Sequence, residues 1–339
     1  MTLARHERLR HGGVAALEIC AVAALYYGSA RLGLLQHLVR GQVTPLWPPT
    51  GIALAGLLLL GPWVWPGIAI GAFLVNITLG PSVPAVLAIT VGNTLAPVGS
   101  YALLRRVRFR TEMDRLRDAL ALIFLGAFTG MLVSATVGSA ALLLAGALPP
   151  AGFWPTWSVW WTGDAMGVLV VAPVLLVLRS AHRPRDLRAA RWCEGALLVV
   201  ATLGAGFLET AEVPLRFLAF PVLIWAAFRF QLAGAAPCAL TLSVFAIVAA
   251  TQRVGPFEGH DLLTTMISLQ AFNASAALTA LLLAASVAER NQTRREIELA
   301  CQQLGEMVTR SAPGGVRRPA PPDDGGDAEE GGGRGREPP

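Results

Sequence analysis

Among the 339 residues, the side chain with the most chemistry to offer is a carboxylate at the edge of an oil-soluble block. Asp164 stands in Trp160-Trp161-Thr162-Gly163-Asp164, immediately before a long apolar run. Ionisable groups in such blocks are costly to place and mark ligand or ion sites or contacts between helices. At the start of a membrane segment near the outer face, Asp164 is expected to cap its helix, accept a hydrogen bond across a bundle, or hold a ligand. Asn76 and Asn93 fall near the outer ends of the third and fourth apolar segments. There they can face one another, as an interhelical hydrogen bond or as walls of a polar pocket. Arg229 closes the eighth segment at the inner surface, where its methylenes stay in the apolar phase and its head reaches water. Anchoring and signal transmission are its two expected roles. Glu18, Gln270 and Asn273 are weaker candidates of the same kind, and Arg31 suits neutralisation of a carboxylate at the outer end.

Other chemistries lack their residues. His6, His11, His37, His182 and His260 lie at termini, loops or segment edges, which disfavours a buried histidine relay. No phosphate-cradling GxxxxGK, HExxH or EF-hand loop occurs. Cys20, Cys193, Cys238 and Cys301 have no CxxC spacing and read as free thiols acting as small hydrophobes. No catalytic residue, metal or cofactor is expected. Motif absence alone leaves open an enzyme acting on lipid inside a bundle, whose mark would be convergent ionisable residues around a lipid-accessible cavity.

The elements that must position these groups follow from composition. Hydrophobic residues make up 54% of the chain and charged residues 14%, against about 25% charged in a soluble domain. The apolar residues arrive in blocks long enough to cross a hydrocarbon layer, where the backbone must be helical or closed into a barrel. No ten-residue polar–apolar alternation supports a barrel. The expected fold is therefore an all-α polytopic bundle of about ten spans: 14–35, 46–60, 64–79, 84–104, 119–145, 164–178, 193–208, 214–230, 232–250 and 262–288. The second and third are short, separated by Gly61-Pro62-Trp63, and can instead be bent or re-entrant halves, leaving eight full crossings. Either count puts both termini on one side.

Charge gives the orientation. Connection 105–118 holds six arginines against three acids, and 179–192 holds five against one Asp. The opposite loops include acidic 209–214 and the aromatic stretch 146–163. Arginine retained on the cytoplasmic side places both termini there, although Arg40 and Arg253 go against the trend. The basic net charge of +5 is accounted for by these loops and suggests no nucleic-acid partner. Gly67-x-x-x-Gly71 and Gly163-x-x-x-Gly167 suit close helix packing. The segment from Val14 is too long for a signal peptide and carries Glu18 and Arg31, so it reads as a retained first helix. The expected organisation is a cytoplasmic N-terminus (1–13), the membrane domain (14–288), a cytoplasmic connector helix (289–310) and a disordered tail (311–339). The connector carries a short heptad seam through Ile297, Ala300, Leu304 and Met307. The tail has too little apolar material to order itself.

Several stretches in order resemble the MASE1 family, a bacterial integral-membrane sensory module. They are Pro45-Leu46-Trp47-Pro48-Pro49-Thr50-Gly51-Ile52-Ala53-Leu54, then LLLLGPWVWPGIAIGAFLVN to Asn76, Gly92-Asn93-Thr94, WTGDAMGVLVVAP ending at Pro173, FPVLIWAAFRF around Trp225 and Arg229, and LLLAASVAER to Arg290. The resemblance covers roughly residues 14–290. It implies a bacterial inner-membrane input module, usually found ahead of PAS, histidine-kinase or cyclic-dinucleotide domains. The positions it singles out are Trp47, Pro48, Pro49, Gly51, Pro66, Asn76, Asn93, Trp160, Gly163, Asp164 and Arg229, none of them catalytic. After Arg290 no GGDEF-like, phosphoacceptor or ATP-binding sequence follows. The expectation is a non-enzymatic sensor acting through a separate kinase, PAS or cyclic-dinucleotide protein, in contact with the lipid bilayer and able to form a homodimer, with its stimulus unknown. The alternative is a small-molecule transporter, which the broken second and third segments and scattered polar groups allow. The two halves show no obvious pair of equivalent broken helices.

Overall fold

The computed structural model describes residues 2–34, 44–180, 189–210 and 216–311, and all regular structure among them is helical. The helices are α1 (Thr2–Leu34), α2 (Pro48–Leu60), α3 (Trp65–Asn76), α4 (Val83–Arg106), α5 (Leu116–Ala121), α6 (Leu132–Leu144), α7 (Phe153–Met166), α8 (Ala172–Ser180), α9 (Ala189–Glu209), α10 (Ala219–Phe230), α11 (Leu232–Gln252) and α12 (Leu262–Ser311). π-helical segments at Leu122–Thr129 and Gly167–Val171 join α5 to α6 and α7 to α8. Such wide turns commonly occur at functional sites.

Among the described residues, seven helical stretches are long and apolar enough to cross a bilayer, and Pro48–Leu60, Pro62–Asn76 and Ala219–Phe230 are shorter apolar helices. Together they account for the ten expected segments. The short ones have local causes. Pro48 and Pro49 open α2, where a missing N–H costs nothing. Gly61, at φ +115, and Pro62 then end it. With 13 residues, α2 rises about 20 Å, short of a hydrocarbon layer about 30 Å thick. Trp47 before α2 and Asn76 at the end of α3 line one pocket, so the two helices form an antiparallel hairpin. α1 packs against both, α4 against α3 and α6, and α2 against the Gly167–Val171 segment and α8. α9, α10 and α11 pack on one another, with α11 also meeting α8.

One expected boundary is corrected. The aromatic stretch 146–163 is not an outer loop: helix begins at Phe153, and the helical run extends from Pro150 to Arg179. The indoles supply the reason. Trp157 stacks on Trp161 with ring centroids 5.7 Å apart. The Trp157 indole donates to Thr136 Oγ1 (3.0 Å) and that of Trp161 to the Phe128 carbonyl (2.8 Å). Polar N–H groups thus find partners while the rings pack. Asp164 is consequently eleven residues inside the helix, which removes the expected capping role.

The chain forms two compact units, Met1–Gln292 and Thr293–Pro339. In the second, the described residues are the end of α12, where Ile297, Leu304 and Met307 are exposed. The tail from 312, most of the acidic 209–214 connection and the middle of 179–192 lie outside the described residues, as do His37, Arg40 and His182.

Candidate functional site

Residues 44–47, just ahead of α2, cross the face of α7. Glycines make that approach possible: a Cβ at Gly163 would lie 2.5 Å from the Thr44 carbonyl oxygen, and one at Gly167 would collide with that of Trp47. Gly51, one turn into α2, meets the Gly167 backbone just as closely. Non-helical backbone at this depth needs its own partners. The Trp47 amide donates to the Gly163 carbonyl (3.0 Å), Thr44 Oγ1 to the Leu46 carbonyl (2.9 Å), and Gln270 Nε2 of α12 to the Pro45 carbonyl (2.9 Å). The tryptophan–proline–proline–threonine–glycine motif and the glycine–aspartate motif of α7 are therefore two halves of one crossing.

Asp164 projects from that crossing. It is 2% exposed; Oδ1 accepts from Thr50 Oγ1 at 2.8 Å and Oδ2 from Ser134 Oγ at 2.5 Å. The Trp160 indole also bears on the carboxylate. Beside it is a pocket of about 40 Å³ lined by Thr44, Trp47, Asn76, Leu79, Asn93, Trp160, Gly163 and Asp164. Asn76 donates its amide to the Ala72 carbonyl of its own helix (2.8 Å), which leaves its Oδ1 as an acceptor. Tyr26, buried on α1, reaches in beside Trp47 and Asn93. A second space of about 30 Å³ shares Asn76, Leu79 and Trp160 and extends to Gly80 in the turn before α4.

The fold thus gathers Trp47, Asn76, Asn93, Trp160, Gly163 and Asp164 around one pocket, with Pro48, Pro49 and Gly51 in the first turn of the adjoining helix. Asn76 and Asn93 line it together. Arg229 is elsewhere, exposed on α10 and held by Glu194 of α9 through its Nε and through Nη2 at 2.6 Å. Glu18 accepts from the Trp63 indole (2.8 Å), which ties α1 to the α2–α3 turn. Asn273 is 1% exposed with neither amide atom partnered among the described residues. Thr50, Ser134 and Tyr26 are site residues that sequence reasoning did not single out. Their signal was weak, since hydroxyls in apolar helices commonly bond their own backbone, as Thr94 does to Thr90.

The pocket offers a buried acceptor set between two indoles, suited to holding a small polar ligand. Among the described residues no group of three metal-ligating side chains occurs. Comparison with known proteins agrees with this architecture. The MASE1 family model matches residues 18–291. The probable diguanylate cyclase DgcE of Escherichia coli (strain K12) is 25% identical over 194 residues, 56% of this chain but 17% of that protein. No solved structure matches. With most of its length covered by the family model and its helices sized for a bilayer, the chain belongs to the MASE1 family of membrane sensory domains.

Proposed function

We propose that the Asp164 pocket receives the stimulus of this sensory domain and that α12 carries the response to a cyclic-dinucleotide signalling protein on the cytoplasmic side. The observation that carries this reading is the bond from Gln270 to the Pro45 carbonyl. It links the non-helical segment lining the pocket directly to the helix that runs on to Ser311. A ligand that moves residues 44–47 relative to Asp164 changes what α12 is held against. It shifts output only by as much as it prefers one arrangement over the other. The arginine-rich connections support an arrangement with both termini in the cytoplasm. The likeness to a probable diguanylate cyclase supports the class of partner. The domain's role is input, with catalysis supplied by the partner.

The test joins the full chain to a diguanylate cyclase reporter. Leu79→Trp, which fills the pocket, is expected to fix output at one level, and Gln270→Leu to cut the response while leaving insertion intact. Normal insertion with unchanged response in both variants refutes the reading. Solute flux in proteoliposomes that depends on Asp164 would favour a transporter instead.

A further inference from the structure

We propose that the pocket beside Asp164 binds a small ammonium-type cation, the ammonium ion or a short primary amine; this rests on the reading of the pocket as the stimulus site and names its ligand class. The first argument is charge. The Asp164 carboxylate is buried, and its partners are the two neutral hydroxyls of Thr50 and Ser134 with the Trp160 indole. None of the described residues lining the pocket is cationic. A buried carboxylate without a counter-charge is neutralised by a proton or by a cation brought from outside, and a cation with N–H groups can displace that proton.

The second argument is the hydrogen-bond inventory. A carboxylate has about four acceptor sites, and the two hydroxyls and the Trp160 indole occupy three of them. Asn76 gives its amide to Ala72, so its carbonyl oxygen remains, and Thr44 gives its proton to Leu46, so its oxygen remains. With the Asn93 amide and the Trp47 indole turned to the Tyr26 oxygen and the Trp160 indole turned to Asp164, the wall's remaining groups are mainly acceptors, and its complement is a ligand rich in N–H donors. The third argument is the pair of indoles that line the pocket, Trp47 and Trp160, since an indole attracts a desolvated cation wherever it presents its ring face to it. Size sets the limit. About 40 Å³ at the carboxylate and about 30 Å³ beyond it hold a few water-sized groups, since one water needs about 10–15 Å³. Ammonium and methylammonium fit, whereas a quaternary amine has neither the room nor the N–H groups.

The experiment measures binding to the full-length protein in lipid nanodiscs by calorimetry and thermal unfolding. Ammonium, methylammonium, tetramethylammonium and potassium chlorides are compared at constant ionic strength. Saturable binding and stabilisation are expected with the first two, and binding weaker by about 10-fold or more with the others, the loss expected when charge-assisted hydrogen bonds are not made. Asp164→Asn is expected to weaken ammonium binding to a similar degree. Because that variant can also disturb folding, Leu79→Trp provides a second arm: it leaves the carboxylate network in place, and should remove binding while the protein still unfolds cooperatively. Absence of saturable binding to the folded wild type, potassium binding as tightly as ammonium, or wild-type affinity in both variants overturns the proposal. If no cation binds but Leu79→Trp still alters reporter output, the ligand class is wrong and the stimulus site stands. If cations bind and pocket variants leave output unchanged, the cation site stands without the sensory role.

Discussion

A hydroxyl has one proton to donate, and Ser134 Oγ is within reach of two acceptors, the Met131 carbonyl at 3.0 Å and Asp164 Oδ2 at 2.5 Å. The shorter contact goes to the carboxylate. Thr50 holds the other carboxylate oxygen, so the two hydroxyls act on one charge. Ser134→Ala and Thr50→Val are each expected to cost about 1 kcal/mol, the range of side-chain hydrogen bonds in membrane bundles. The double variant should cost more than the sum, because groups sharing a partner couple. Unfolding titrations of the four proteins close the cycle, and strict additivity would show that the hydroxyls act independently. Asp164, Asn76 and Asn93 were legible in the sequence because polar groups stand out against apolar neighbours. Thr50, Ser134 and Tyr26 were not, because their chemistry depends on partners 114, 30 and, for Tyr26, several helices away.

Elements decide whether those residues meet. The crossing of residues 44–47 over α7 needs bare backbone at Gly163, so Gly163→Ala is expected to destabilise by about 1–3 kcal/mol, as overpacking does. Gly28→Ala on α1, where an added Cβ meets nothing within 4 Å, should be neutral or slightly stabilising by helix propensity. Equal effects in the two variants would remove the crossing as a packing constraint. The spacing Gly163-x-x-x-Gly167 signalled close packing but not its partner, which is the non-helical segment 44–47 together with the first turn of α2. Hydropathy likewise missed the first half of the run from Pro150, since indole N–H groups count as polar until their acceptors are known. At the head of α12, the Thr264 hydroxyl holds the exposed Asp261 carboxyl below the usual carboxylate range. Asp261 thus contributes stability above its unfolded value of about 3.9 and loses it as pH falls through the lower folded value. Asp261→Asn is expected to reduce the acid loss of stability, which thermal unfolding at about pH 6 and about pH 3 would read. An unchanged acid limb would show that the cap is thermodynamically silent.

At the scale of the molecule, α12 has 50 residues, whereas about 20 cross a bilayer. The excess carries Ile297, Ala300, Leu304 and Met307 at heptad spacing, and exposed Cys301 lies beside the seam. Two heptads are too short to hold a coiled coil alone, but copies confined to one membrane with the same orientation meet at high effective concentration. A parallel homodimer through this seam is expected to place Cys301 near its counterpart, so mild oxidation of membranes should give a disulfide-linked dimer. Cys20 and Cys193, also exposed, are first replaced by Ser so that the band reports Cys301. Ile297→Asp with Leu304→Asp puts like charges into the seam and should abolish the cross-link without altering membrane insertion. The same thiol tests orientation, since an impermeant maleimide should reach Cys301 only after the inner membrane is opened. Labelling in intact cells would invert the topology, and a cross-link surviving the double substitution would move the interface away from α12. If Cys301 is both sheltered and paired, a shift at Gln270 reaches two copies of the connector at once, which lets a small displacement near Asp164 change the register of a dimeric output.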